Sequence, residues 1–313
     1  MRVPLFSFVT AVALASAQAA VPEGWTADFA KAKAEAASSK KDLLLDFTGS
    51  DWCSWCIRLR KEVFDLPAFK EAAPKDFVLV ELDFPQDKER ISPETSKQNE
   101  ALQAQYSVKG YPTIYLADAE GRPYAQTGYQ KGGADEYLKH LASLKEIRVK
   151  RDAAFAKASG LSGVEKAAAT KEGLDALGED LVAVHYKETL KQIKELDPKD
   201  TLGVDAKFGY VAALAELDGS LVAKRAAGGD ALRAVADEFL AKYPKATPTQ
   251  KQQALLSVLN YLAPPKDNAA ALKLLGDVKA LDPDSETGKQ AASIMERVQK
   301  MMEAEKGKDA PAK

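Results

Sequence analysis

Two cysteines in a chain of 313 residues, Cys53 and Cys56, stand two residues apart, and they limit what this chain can be. A pair so close in sequence cannot staple distant parts of a fold, and closing so short a loop restricts the unfolded chain only slightly. Structural zinc needs four protein ligands, and there is no second cysteine pair here. The two histidines, His140 and His185, fall in regions of different pattern, so no metal and no other cofactor is expected. What remains is thiol chemistry or very local structure. The run 43–47 (LLLDF) reads as a buried strand and 54–63 as a helix, which puts Cys53 at a strand-to-helix turn. Unpaired N–H groups and the helix dipole stabilise a thiolate there. Cys56 follows one turn further in, placed to attack a mixed disulfide on Cys53. Cys53 is therefore read as the attacking thiol and Cys56 as the resolving one.

The first twenty residues read as a secretory signal. Arg2 supplies the positive start, 5–14 the apolar stretch, and Ala17-Gln18-Ala19 a small-residue cleavage pattern, with cleavage near Ala19 or Ala20. The apolar stretch is too short to span a bilayer, and no later one approaches about 18 residues. The expectation is a soluble periplasmic or extracellular protein, with no membrane insertion after signal cleavage. A short uncleaved anchor is the alternative. Formal net charge is −2 with no basic stripe, which argues against a nucleic-acid partner.

Two patterns divide the chain. From residue 25 to 144, strand-like stretches (43–47, 77–82, 113–116, 124–127) alternate with helical ones (28–37, 54–63, 68–73, 95–106, 134–144), the mark of an α/β domain. Beyond about 149 the strand signals vanish, and apolar residues recur at helical spacing, as in Ala291, Ile294, Val298 and Met301. Leu196-Asp197-Pro198, Tyr243-Pro244 and Leu281-Asp282-Pro283 punctuate helix ends at roughly forty-residue spacing. Stacked helical hairpins, loosely tetratricopeptide-like, and an irregular bundle are the two readings. The expected division is a signal at 1–20, an α/β domain at 21–148, a helical region at 149–305 and a disordered tail at 306–313.

The run Asp46-Phe47-Thr48-Gly49-Ser50-Asp51-Trp52-Cys53-Ser54-Trp55-Cys56 resembles the active-site segment of thioredoxin-fold proteins. Val108-Lys109-Gly110-Tyr111-Pro112-Thr113 is similar to that family's cis-proline loop, and Gly128 to a glycine late in the domain. The resemblance covers about the first half of the mature chain. It implies a central mixed sheet flanked by helices, a cis Pro112 beside the cysteines, and a backbone there that pairs with an extended client segment. Three departures stand out. Asp46 lies seven residues ahead of Cys53 where six is usual, and Trp55 stands where many relatives have proline. The loop 83–93 is long enough to form an added recognition surface.

The resemblance places a carboxylate at the Asp46 position under the resolving cysteine, where a buried acid accepts the proton of Cys56. A hydrogen-bonded structural role near a strand end is the alternative for Asp46. For Glu81 the readings are tuning of the site's proton affinity or a solvated sheet face. Trp52 is expected to pack beneath the turn and shield the thiols. Trp55 is expected either to meet the client with an apolar contact or to pack on Tyr111 or the polar insert. Catalysis is thus assigned to Cys53, Cys56 and Asp46, and client contact to Tyr111, Pro112, Trp52 and Trp55.

The functional expectation is an exported thiol–disulfide oxidoreductase acting on client proteins with thiols or disulfides. Its direction is open, and a separate redox partner recycles the dithiol. The alternative is a peptide- or protein-binding scaffold in which the helical region is the main functional element.

Overall fold

The computed structural model describes residues 21–244, 246–263 and 266–308. The signal expected at 1–20 lies outside them, as do residues 309–313 of the expected tail, whereas 306–308 end a helix. The chain divides into two compact units, Met1–Ala156 and Lys157–Lys313.

The first unit is built on a five-stranded sheet in the order β1-β3-β2-β4-β5. The strands are β1 (Trp25–Thr26), β2 (Asp42–Thr48), β3 (Phe77–Asp83), β4 (Thr113–Ala117) and β5 (Pro123–Thr127). β3 runs parallel to β1 and β2, while β4 is antiparallel to β2 and β5. β2 and β3 are buried at every position, which is why their apolar residues fall on both faces instead of alternating with solvent-facing polar ones.

Strand alternation sorts the two faces. Leu43, Leu45 and Phe47 of β2 join Val78, Val80 and Leu82 of β3 in one apolar cluster. The cover on that side comes from Phe29 and Ala32 of helix α1 (Phe29–Ser39) and from Leu102 of α4 (Pro93–Gln105). α1 starts where the Asp28 carboxylate accepts the Lys31 N–H at 2.9 Å. Asp46 and Glu81, directly paired across β2 and β3, fall on the opposite face. That face is covered by α2 (Ser54–Leu59), a π turn (Arg60–Phe64), α3 (Pro67–Asp76) and α5 (Gly133–Ser159). Phe64 packs on Phe69 of α3 at 4.8 Å and on Tyr137 of α5 at 5.9 Å between ring centroids.

Two elements differ from expectation. The helix foreseen at 134–144 runs on to Ser159. Its extra turns are held by Arg148, paired with buried Asp42, and by Arg151, wholly buried with Nη2 2.9 Å from Asp118 Oδ2. The two-residue strand β1 was too short to carry a pattern.

The second unit is helical throughout its described residues: α6 (Gly163–Asp175), α7 (Glu179–His185), α8 (Lys187–Leu196), α9 (Tyr210–Lys224), α10 (Gly229–Lys242), α11 (Pro248–Leu259), α12 (Asn268–Leu281) and α13 (Glu286–Lys308). α8, α10 and α12 end at the punctuation read from the sequence. α6 packs on α8 and α7 on α9, whereas α11, α12 and α13 pack in succession. Among the described residues each helix from α9 to α13 packs on the next. Among them, too, no helix is long and apolar enough to cross a membrane.

Candidate active site

α2 begins where β2 has delivered the chain to the end of the sheet. Cys53 is its N-cap, with extended backbone (φ −79°, ψ 105°), and its Sγ accepts the Cys56 N–H at 3.2 Å. Cap position and sulfur acceptor together turn unsatisfied helix N–H groups toward this sulfur. The two cysteines are joined as a disulfide with Cα atoms 5.2 Å apart, and their exposures are 7% and 4%.

The loop ahead of the cysteines is tied down on its far side. Ser50 donates its N–H and its hydroxyl to Asp83, at 2.9 and 2.6 Å. The Asp51 carboxylate accepts the N–H groups of Gln86 and Asp87 at 2.9 and 3.0 Å, and the Asp87 N–H above all holds that carboxyl below the usual range. Trp52 donates its indole N–H to the Phe84 carbonyl at 2.8 Å. The polar insert is thereby fastened to the active-site loop. Gly49 permits this arrangement, because a Cβ there would lie 2.5 Å from the Trp52 ring.

The Tyr111–Pro112 peptide is cis, as the resemblance implied. Phe47 pairs with Thr113, so Pro112 enters β4 at the end of the sheet from which the chain leaves β2 toward Cys53. The Tyr111 ring meets Trp52 edge-on at 5.7 Å and Phe84 at 5.2 Å, which links the proline loop, the insert and the cysteine loop. Gly128 is close as well: a Cβ there would lie 3.2 Å from the Pro112 carbonyl oxygen.

Trp52 does not sit beneath the turn. It is 43% exposed, because its N–H is drawn to the insert at the rim. Trp55 is 50% exposed and packs on neither Tyr111 nor the insert in the contacts resolved; its ring lies 5.2 Å from Tyr129. The Arg58 guanidinium lies over both of these rings, at 5.5 and 5.2 Å. Glu62 accepts hydrogen bonds from Arg58 Nε at 2.7 Å and the Tyr129 hydroxyl at 2.5 Å. Two partly exposed indoles, each held in place by its neighbours, thus lie within two residues of Cys53.

Beneath the helix, Asp46 is buried without a hydrogen-bond partner on Oδ1. Burial pushes its carboxyl up to about 8; the nearby charges of Glu81 and Asp83 add to the rise, and that of Arg60 opposes it. Glu81 is buried rather than on a solvated face, and burial raises its carboxyl too, against the pull of Arg60. Arg60 joins the two carboxylates: its Nη2 is in direct contact with Glu81 Oε2 and 3.9 Å from Asp46 Oδ2. Sequence reading missed Arg60. The available signal was its spacing, since 53, 56 and 60 recur at three and four residues and so share a helix face with the cysteines.

Chemically, the arrangement presents a reducible sulfur pair at a helix N-terminus, a buried carboxylic acid on the sheet face below, and an exposed aromatic rim. Residues 29–145 match the family model of a thioredoxin-like domain. The chain is similar to the disulfide bond reductase DsbH of Chlamydia pneumoniae, with 37% identity over 120 residues, covering 38% of this chain and 72% of that protein. It is also similar to the thioredoxin-related protein DsbJ of the same organism, with 29% identity over 104 residues, covering 33% of this chain and 30% of that protein. Among solved structures, a DsbH oxidoreductase is matched at 31% identity over 45% of this chain and 94% of that one, with a TM-score of 0.37.

Proposed function

The chain belongs to the thioredoxin-like family and is a thiol–disulfide oxidoreductase, and from that premise we propose that it reduces disulfides of client proteins outside the cytoplasm. The observation that carries the reading is the Cys53–Cys56 pair at the N-terminus of α2, with Cys53 Sγ facing a helix N–H. The reductase direction is supported by the likeness to a protein named as a disulfide bond reductase. The extracytoplasmic setting is supported by the signal-like pattern of the first twenty residues.

In the proposed cycle the Cys53 thiolate attacks one sulfur of a client disulfide. The other client sulfur leaves and takes up a proton. Cys56 then passes its proton to Asp46, attacks Cys53 Sγ, and expels the second client sulfur as a thiolate. The client gains two electrons, the enzyme closes its disulfide, and a separate dithiol donor reopens it. Backbone groups beside Pro112 hold the client segment in extended form, and Trp52, Trp55 and Tyr111 line its path.

Replacing Cys56 with Ser removes the resolving thiol and leaves Cys53 at its helix cap. The full-length Cys56→Ser protein, expressed with its signal, is expected to accumulate covalent protein adducts that vanish on reduction, and Cys53→Ser is not. The scaffold alternative requires no adducts from either variant. Adducts from Cys53→Ser alone would reverse the assignment of the two thiols.

A further inference from the structure

We propose that Arg60 is a positioning residue that keeps the Asp46 carboxylate available as proton acceptor in the resolving step, with Glu81 holding the guanidinium in place. The proposal rests on the reading of the chain as a Cys53/Cys56 oxidoreductase and assigns a role to a residue that the reading leaves unused.

Three observations lead to it. First, Arg60 lies on the face of α2 that carries both cysteines, at the point where the α-helix gives way to a π turn. Such turns re-aim side chains and are frequent at functional sites. Second, the guanidinium is held from two directions, by direct contact with Glu81 and by the Trp25 ring at 5.7 Å. Third, its grip on the two carboxylates is unequal. Glu81 takes the hydrogen bond, whereas Asp46 stands 3.9 Å away, near enough to feel the charge and too far for a hydrogen bond.

That inequality matters for the chemistry. A buried carboxylate in a tight, bidentate pair with arginine is held ionised and is a poor base. A buried carboxylate with no cation nearby stays protonated and accepts nothing. Asp46 lies between these limits, with Oδ1 free of any hydrogen bond. The groups facing the cluster are Glu81 and Asp83 from β3, Arg90 from the 3-10 turn Lys88–Arg90, and Tyr137 from α5. Within this set Arg60 is the group that favours the anion of Asp46, whereas burial, Glu81 and Asp83 oppose it.

In the resolving step the Cys56 proton moves to Asp46. The Cys56 sulfur then forms its bond to Cys53 Sγ as the bond from Cys53 to the client sulfur breaks. The electron pair leaves with the client sulfur, and Asp46 later releases its proton to solvent.

The test uses the reduced full-length chain and a synthetic peptide with one internal disulfide at saturating concentration, so that resolution limits the single turnover. Tryptophan fluorescence follows the rate from pH 5 to 10, and circular dichroism verifies the fold of each variant. Arg60→Gln is expected to move the apparent inflection up by about one unit and to slow turnover near pH 7 about tenfold. Arg60→Lys is expected to restore most of the wild-type profile, and Glu81→Gln to move the inflection down. A rate lowered equally at every pH in Arg60→Gln would show a merely structural role and overturn the proposal. If Arg60→Gln fails to fold, an unmoved profile in Glu81→Gln overturns it as well. Absence of exchange by the wild-type protein would instead overturn the functional reading itself.

Discussion

Asp46→Asn is expected to stabilise the first unit, and to do so by an amount that grows with pH. Folded, the Asp46 carboxyl is raised to about 8 from its ordinary value of 3.8; unfolding returns it to water. Between those two values the folded chain holds a proton that the unfolded chain has released. Stability from this group is therefore complete below about pH 4, declines by about 1.4 kcal/mol per pH unit above it, and levels off above about pH 8. At pH 7 the accumulated cost is about 4 kcal/mol, against a total stability of about 5–15 kcal/mol for a domain. Asparagine has no proton to hold, so this slope disappears. Its buried amide brings a separate cost of about 1–3 kcal/mol for imperfect pairing, which is independent of pH. The decisive quantity is the change in the mutant–wild-type difference between pH 5 and pH 8, expected at about 3–4 kcal/mol in favour of Asn. Urea unfolding of the oxidised protein measures it, with the cysteines locked and unable to titrate. All three tryptophans (Trp25, Trp52 and Trp55) lie in the first unit, so their fluorescence reports that unit within the full chain. A difference that is the same at pH 5 and pH 8 would refute the argument that burial raises the Asp46 carboxyl.

Brief iodoacetamide treatment of the reduced protein near pH 7 is expected to label Cys53 ahead of Cys56, with a Cys53 thiol below the free value of about 8.5; mass mapping decides between them. Arg151→Met should cost about 1.5–3 kcal/mol, because it removes the wholly buried guanidinium bonded to Asp118 and leaves that carboxylate to the more exposed Arg122, and urea unfolding reads the loss directly. By the same reasoning a fragment of residues 21–160 should fold and exchange disulfides, while 21–148, cut ahead of Arg151, should be markedly less stable in the same assay.

The parts of the site that were legible early share one property: they are encoded within a few residues of chain. Two cysteines at helical spacing after an apolar strand specify a capped thiol, because strand, turn and first helical turn are all local. The cis Tyr111–Pro112 step and the glycine near it were visible for the same reason, as short patterns with a resemblance behind them. Asp46 was picked out as one acid in a run of leucine and phenylalanine. Trp52 was misplaced beneath the turn because its position is set by the Phe84 carbonyl, 32 residues away.

What the chain could not display in its own order is pairing across distance. Arg60 and Glu81 are 21 residues apart, and either alone reads as a surface charge. Arg151 and Asp118 are separated by 33 residues, and nothing near Arg151 announces that its helix continues in order to bury it. Local spacing therefore determined which atoms can do the chemistry, since helix caps and strand alternation act over one or two turns of backbone. The charge environment of those atoms was settled by the sheet register that sets Asp46 beside Glu81, and by the π turn that brings Arg60 over both. Desolvation and Coulomb attraction depend on which groups meet in space, and that is a property of the packed fold.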